Sequence, residues 1–138
     1  MNWRTYPYTA QWRRPHSMEY SHRPLLNILI SGKESGNFMA LVDSGTDVTM
    51  MDSEIAVVLG IDSKGCQTGI ASGVGGQKKG FLSKVKIQVP EFKKVITTTV
   101  LFVNDLSFPA ILGQDDFFRN FHVCFDRSAK EFRLKLSK

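Results

Sequence analysis

Cysteine is scarce in this chain: Cys66 and Cys124 are the only two in 138 residues. That is too few for a disulfide framework at this length, so both are expected to be reduced, buried thiols. No paired Cys or His stand at zinc-ligand spacing. No Gly-Lys-Ser/Thr ending turns a glycine-rich loop into a phosphate cradle. No apolar run approaches the ~20 residues that cross a bilayer, and the N-terminus has no basic start, apolar core and small-residue cleavage site of a signal peptide. The expectation is a soluble, cytoplasmic protein with no membrane partner. Positive charge is also thin where a nucleic-acid surface would need it. The net charge is +5, but residues 1–23 hold Arg4, Arg13, Arg14 and Arg23 against Glu19 alone. The body, residues 24–138, is left weakly charged, so nucleic acid is not an expected partner. The length gives one domain with a proper core and no room for a second.

What is present centres on Phe38-Met39-Ala40-Leu41-Val42-Asp43-Ser44-Gly45-Thr46. An apolar strand, buried on both faces, ends abruptly in a carboxylate, and such a strand is a rigid support. Gly45 permits a tight turn. The hydroxyls of Ser44 and Thr46 can bond neighbouring backbone and fix the direction of Asp43. Taken alone, the tetrapeptide is also compatible with an ordinary strand-end turn.

Val42-Asp43-Ser44-Gly45-Thr46 resembles the Asp-Ser/Thr-Gly active-site loop of aspartic proteases, with Asp43 matching the catalytic aspartate. About 70 residues downstream, Ile111-Leu112-Gly113-Gln114-Asp115 and the apolar helix and strand after it resemble the second signature of that family. There the strand end packs beside the catalytic loop. The likeness spans about residues 24–136, and the single Asp-Ser-Gly loop places it with the retropepsin-like, single-domain branch. That resemblance implies an all-β acid-protease barrel with one or two short helices, acting as a symmetric homodimer on peptide or protein substrates. It implies no metal and no cofactor. Asp43 and its symmetry mate would share one proton, because like charges ~3 Å apart cannot both ionise. Asp47, Ile111, Leu112, Gly113, Gln114 and Asp115 would support the loop. One departure stands out: many relatives carry Arg where this chain has Gln114, and that Arg pairs with the carboxylate that corresponds to Asp47.

Along the chain, residues 1–23 show no period of 2 or 3.6 and read as a flexible, basic, aromatic arm. Its options are nucleic-acid stacking, a self-cleaved leader, a strap across a dimer partner, or a mobile terminus. Residues 25–30 and 37–42 form a hairpin feeding the loop. Asp52 or Ser53 caps a helix reaching Leu59, with Gly60 at its stop. Gly73, Val74, Gly75 and Gly76 fall at a hairpin tip, where the resemblance places the flap; a surface loop without function is the other reading. Residues 83–89 alternate, with Val85, Ile87 and Val89 inward. Residues 95–103 are another strand, 115–119 a short helix, and 122–125 with 132–136 a closing hairpin. Two other functions stay open. One is an inert, dimeric peptide-binding module with the protease fold; the other is a nucleic-acid binder acting through the arm. His122 and Cys124, two apart on a strand, fit core packing better than nucleophilic catalysis.

Overall fold

In the computed structural model, which describes residues 2–12, 20–73 and 76–138, strands carry nearly all of the order. Before the barrel come β1 (Arg4–Pro7), β2 (Thr9–Trp12) and β3 (Tyr20–Arg23). The barrel opens with β4 (Leu25–Ser31) and β5 (Ser35–Val42). Then follow β6 (Met50–Asp52), helix α1 (Ser53–Val58), β7 (Thr68–Gly73), β8 (Gly76–Gln88) and β9 (Val95–Val103). β10 (Ala110–Leu112), a π-helix over Gln114–Phe118, β11 (Phe121–Asp126) and β12 (Glu131–Leu136) complete the chain. Among the described residues no helix is long and apolar enough to cross a membrane.

One sheet runs β4-β5-β10-β6-β9-β8-β7, and β4 also pairs with β8, which closes it into a barrel. The expected all-β barrel is therefore the fold observed. Alternation decides what fills it: Val85, Ile87 and Val89 are buried while Lys84 and Lys86 are exposed. Ile28, Ile30, Ala40, Val42, Val100 and Phe102 meet them in one core. Asp52 caps α1 by accepting the Glu54 N–H at 2.9 Å, and a second oxygen of the same carboxylate accepts the Leu106 N–H at 3.1 Å. Helix and following loop are thus held by one side chain.

Two expectations need correction. Residues 2–12 and 20–23 of the expected arm contain strands: β1 pairs antiparallel with β12, and β2 pairs with β3. Tyr6 stacks on Phe132 with ring centroids 5.4 Å apart, and its hydroxyl donates to Glu91 at 2.7 Å. Strands of four residues, one ending at Pro7, are too short to show a period, so the aromatic contacts that hold β1 were invisible in the pattern. The thiols also differ from expectation, since Cys66 and Cys124 are free but half-buried. Cys124 accepts from the Arg133 guanidinium at 3.2 Å.

Candidate active site

Asp43 follows directly on β5, whose Ala40 and Val42 are 0% and 3% exposed. The loop after it is built almost wholly from backbone bonds. Asp43 N–H donates to the Leu112 carbonyl at 3.2 Å, and Thr46 N–H donates to the Asp43 carbonyl at 3.4 Å. The Gly45 N–H donates to the Asp43 carboxylate at 2.9 Å, which fixes one of its oxygens. Thr46 turns its hydroxyl to the Val48 carbonyl at 3.4 Å. Ser44 contributes its carbonyl rather than its hydroxyl, receiving the Gln114 side-chain amide at 2.8 Å.

β10 makes this loop possible. It lies between β5, to which it is parallel, and β6, to which it is antiparallel. Ala110 and Leu112 face the core, while Ile111, registered against both Leu41 and Met50, sits on the half-exposed face. By the period of two, Asp43 shares the Leu41 face, so the carboxylate stands at the end of a short apolar floor. At Gly113 the chain crosses the loop so closely that a Cβ would lie 2.8 Å from the Asp47 carbonyl and 2.9 Å from that of Thr46. Only glycine fits there. Gln114 and Asp115 then donate their N–H groups to Thr46 and Asp47, each at 2.9 Å.

Below the loop lies a polar network that the sequence reading did not find. Thr49 and Asp116 are the buried polar side chains of the described residues. The Gly113 N–H donates to the Thr49 hydroxyl at 3.0 Å, and that hydroxyl donates to Asp116 at 2.5 Å. The Thr98 hydroxyl donates to the other Asp116 oxygen at 3.2 Å, and the Phe117 N–H donates to the first at 2.7 Å. Both oxygens of Asp116 therefore have donors, three in all, as a buried carboxylate needs. Asp115, singled out from sequence, supports the loop through its N–H, but its side chain is exposed. Asp47 likewise gives its carbonyl, and among the described residues its carboxylate has no partner. The neutral Gln114 clasps Ser44 instead of pairing with Asp47.

The hairpin of β7 and β8 carries the other expected elements. Gly80 to Gln88 pair with β9, but Gly76 to Lys79 pair with β7 alone, so the outer hairpin is a two-stranded projection. At its root a Cβ on Gly80 would lie 1.9 Å from the Phe102 carbonyl. Gly73 and Gly76 face each other at the tip, and Val74 and Gly75 lie outside the described residues. His122 is exposed on β11 and Cys124 is engaged by Arg133, and neither meets the Asp43 loop in any hydrogen bond.

Solved structures resemble this chain over most of its length. The protease of EIAV, complexed with the inhibitor HBY-793, is 28% identical, with a TM-score of 0.54, covering 67% of this chain and 83% of that one. The retroviral protease-like domain of Ddi1 from Leishmania major is 17% identical, with a TM-score of 0.53 over 83% of this chain and 95% of that one. A retropepsin-like aspartic protease from Rickettsia conorii is 19% identical, with a TM-score of 0.54 over 79% of this chain and 88% of that one. No protein-family model matches the chain, and no curated protein matches it by sequence.

Proposed function

We propose that this chain, whose fold is that of the retropepsin-like aspartic proteases, is an aspartic endopeptidase whose dyad is two Asp43 carboxylates, one from each of two copies. The observation that carries this reading is the immobilised loop: Asp43 sits at a buried strand end, with its backbone bonded to Leu112 and Thr46 and one oxygen held by the Gly45 N–H.

The chemistry follows from two carboxylates in contact. One proton is shared, so one group stays basic enough to take a proton from water while the other can protonate the leaving nitrogen. Their titration belongs to the pair. A peptide would lie across the two-fold axis as an added strand. The floor of Leu41, Met50 and Ile111 favours apolar side chains beside the scissile bond. The β7–β8 projection is the element free to close over that peptide. Stacking of nucleic acid on the N-terminal aromatics is disfavoured, because Trp3 is already flanked by Arg133 and Lys135, each 5.6 Å from its ring centre.

The test is cleavage of a mixed peptide library at mildly acid pH by the purified chain and by Asp43→Asn. The neutral isostere keeps the shape and removes the proton chemistry, so turnover should be lost with the fold retained. Inhibition of the wild type by a hydroxyl-bearing transition-state mimic such as pepstatin should accompany it. Undiminished turnover in Asp43→Asn would place the chemistry elsewhere, and no turnover by the wild type would leave a peptide-binding module.

A further inference from the structure

The β7–β8 hairpin has two faces of different chemistry, and strand register says which of them looks onto the Asp43 loop. Residues paired across neighbouring strands share a face of the sheet, and so do residues two apart along one strand. Leu41 pairs with Ile111, Ile111 with Met50, Met50 with Leu101 and Leu101 with Leu82. Asp43, two beyond Leu41, belongs to this face. Back along β8 from Leu82 it continues through Gly80 and Lys78, whose partners on β7 are Gly69 and Ala71. The hairpin also bends toward this side. β7 is two strands removed from β9, yet a Cβ on Gly69 would lie 2.9 Å from Leu101 Cδ1 and 3.0 Å from Leu82 Cγ. Leu101 is accordingly 2% exposed although it stands on the face opposite the barrel core. The outer hairpin therefore arches over the floor of Leu41, Met50 and Ile111. Among the described residues, its positions on the arched-over side are Gly69, Ala71, Gly73, Gly76, Lys78 and Gly80. Five are glycine or alanine and leave room beneath; Lys78 alone has a side chain long enough to cross it. Lys78 is exposed, and among the described residues no hydrogen bond or ion pair holds its ammonium. The other side carries Ile70, Ser72, Gln77 and Lys79.

We infer that Lys78 is a specificity-determining residue, one that selects peptides carrying a carboxylate side chain, Glu or Asp, a short way from the scissile bond. The inference rests on the protease reading and adds a substrate class to it. Beside the bond itself the floor of Leu41, Met50 and Ile111 takes apolar side chains. Farther out, under the hairpin, a substrate carboxylate meets an ammonium that the chain itself does not neutralise. An unpaired cation gives up no partner to take one. A charge-assisted bond in a space partly closed from water is also stronger than an ion pair on an open surface. Two copies related by a two-fold axis place one Lys78 on each side of the bond, so acid is selected on both sides. Lys79, one residue along, carries the same charge on the opposite face and has no access to the peptide.

The experiment compares two mixed peptide pools, identical except that Gln and Asn replace every Glu and Asp in the second. The full chain, at a pH above about 5 where those carboxylates are ionised, should cut the acid pool about tenfold faster or more. Glu or Asp should recur at a fixed distance from the new ends. Lys78→Met keeps the length of the side chain without its charge, and should bring the two rates together by slowing the acid pool alone. Lys79→Met should leave the wild-type ratio in place. Three results would overturn the assignment and leave the protease reading standing: equal cutting of both pools by the wild type, equal slowing of both by Lys78→Met, or the same loss of preference in Lys79→Met. If the wild type cuts neither pool, the protease reading fails and binding decides the assignment. Tighter retention of the acid pool by the wild type, lost in Lys78→Met and kept in Lys79→Met, would support it; equal retention, or none, would overturn it.

Discussion

Asp116 holds the Asp43 loop without reaching it: its carboxylate takes the Thr49 hydroxyl, and that hydroxyl takes the Gly113 N–H. Replacing it by Ala takes the acceptor from the buried Thr49 hydroxyl and the half-buried Thr98 hydroxyl and should cost about 3 kcal/mol. Asp116→Asn keeps the shape and should lower kcat more than it lowers stability, as read from kinetics beside thermal unfolding. An unchanged kcat in folded Asp116→Asn would limit the network to stability. A second residue reports through pH. The Tyr6 hydroxyl is pushed well above its ordinary value, first by burial and then by its bond to Glu91. The folded state thus favours the protonated phenol, a contribution complete below pH about 10 and lost as pH rises past it. Tyr6→Phe should remove that alkaline loss, seen as a flatter stability profile above pH 10. Of the residues in the Asp116 network only Gly113 was named beforehand, because an apolar strand ending in glycine before a helix has a local signature. Asp116 had none. Its neighbour Asp115 occupies the expected place in the signature, and the π-helix over Gln114–Phe118 decides which of the two faces inward.

Long strands with clean alternation were readable as elements, and β9 occupies the bounds that its Val, Ile and Thr content implies. β1 was not, since its hold on β12 comes from Tyr6 and Tyr8 packing on Phe132, a partner distant in sequence. β8 is longer than its alternating half, because its outer residues pair only with β7 and carry no apolar pattern. That division yields a prediction for the proposed flap. Gly76→Val, in the two-stranded part and at a φ of 103° that valine rarely adopts, should distort the tip and impair kcat/KM with little change in the global unfolding temperature, since isolated hairpins add little stability. Gly80→Ala, at the root, drives a methyl group into the Phe102 carbonyl and should cost about 2 kcal/mol or more. Equal stability losses in the two variants would make the tip part of the core rather than a lid.

For the molecule as a whole, the proposed shared dyad would make activity a property of concentration. Specific activity should fall on dilution, approaching second order in protein below the dimer dissociation constant. Excess Asp43→Asn chains should poison the wild type by forming pairs with one normal aspartate. Constant specific activity in a solution of monomers would sink the shared dyad. The position of β10 has a consequence for the order in which the protein is made. β5, which delivers Asp43, cannot complete its pairing until Ala110–Leu112 insert beside it, and the loop lacks its clasp until Gln114 has been added. On the ribosome Asp43 is synthesised before β10 and Gln114, so these must follow it before the loop is clasped. A nascent chain therefore carries Asp43 without its clasp, and the proposed active-site loop takes its shape only once the segment around Gly113 has been added.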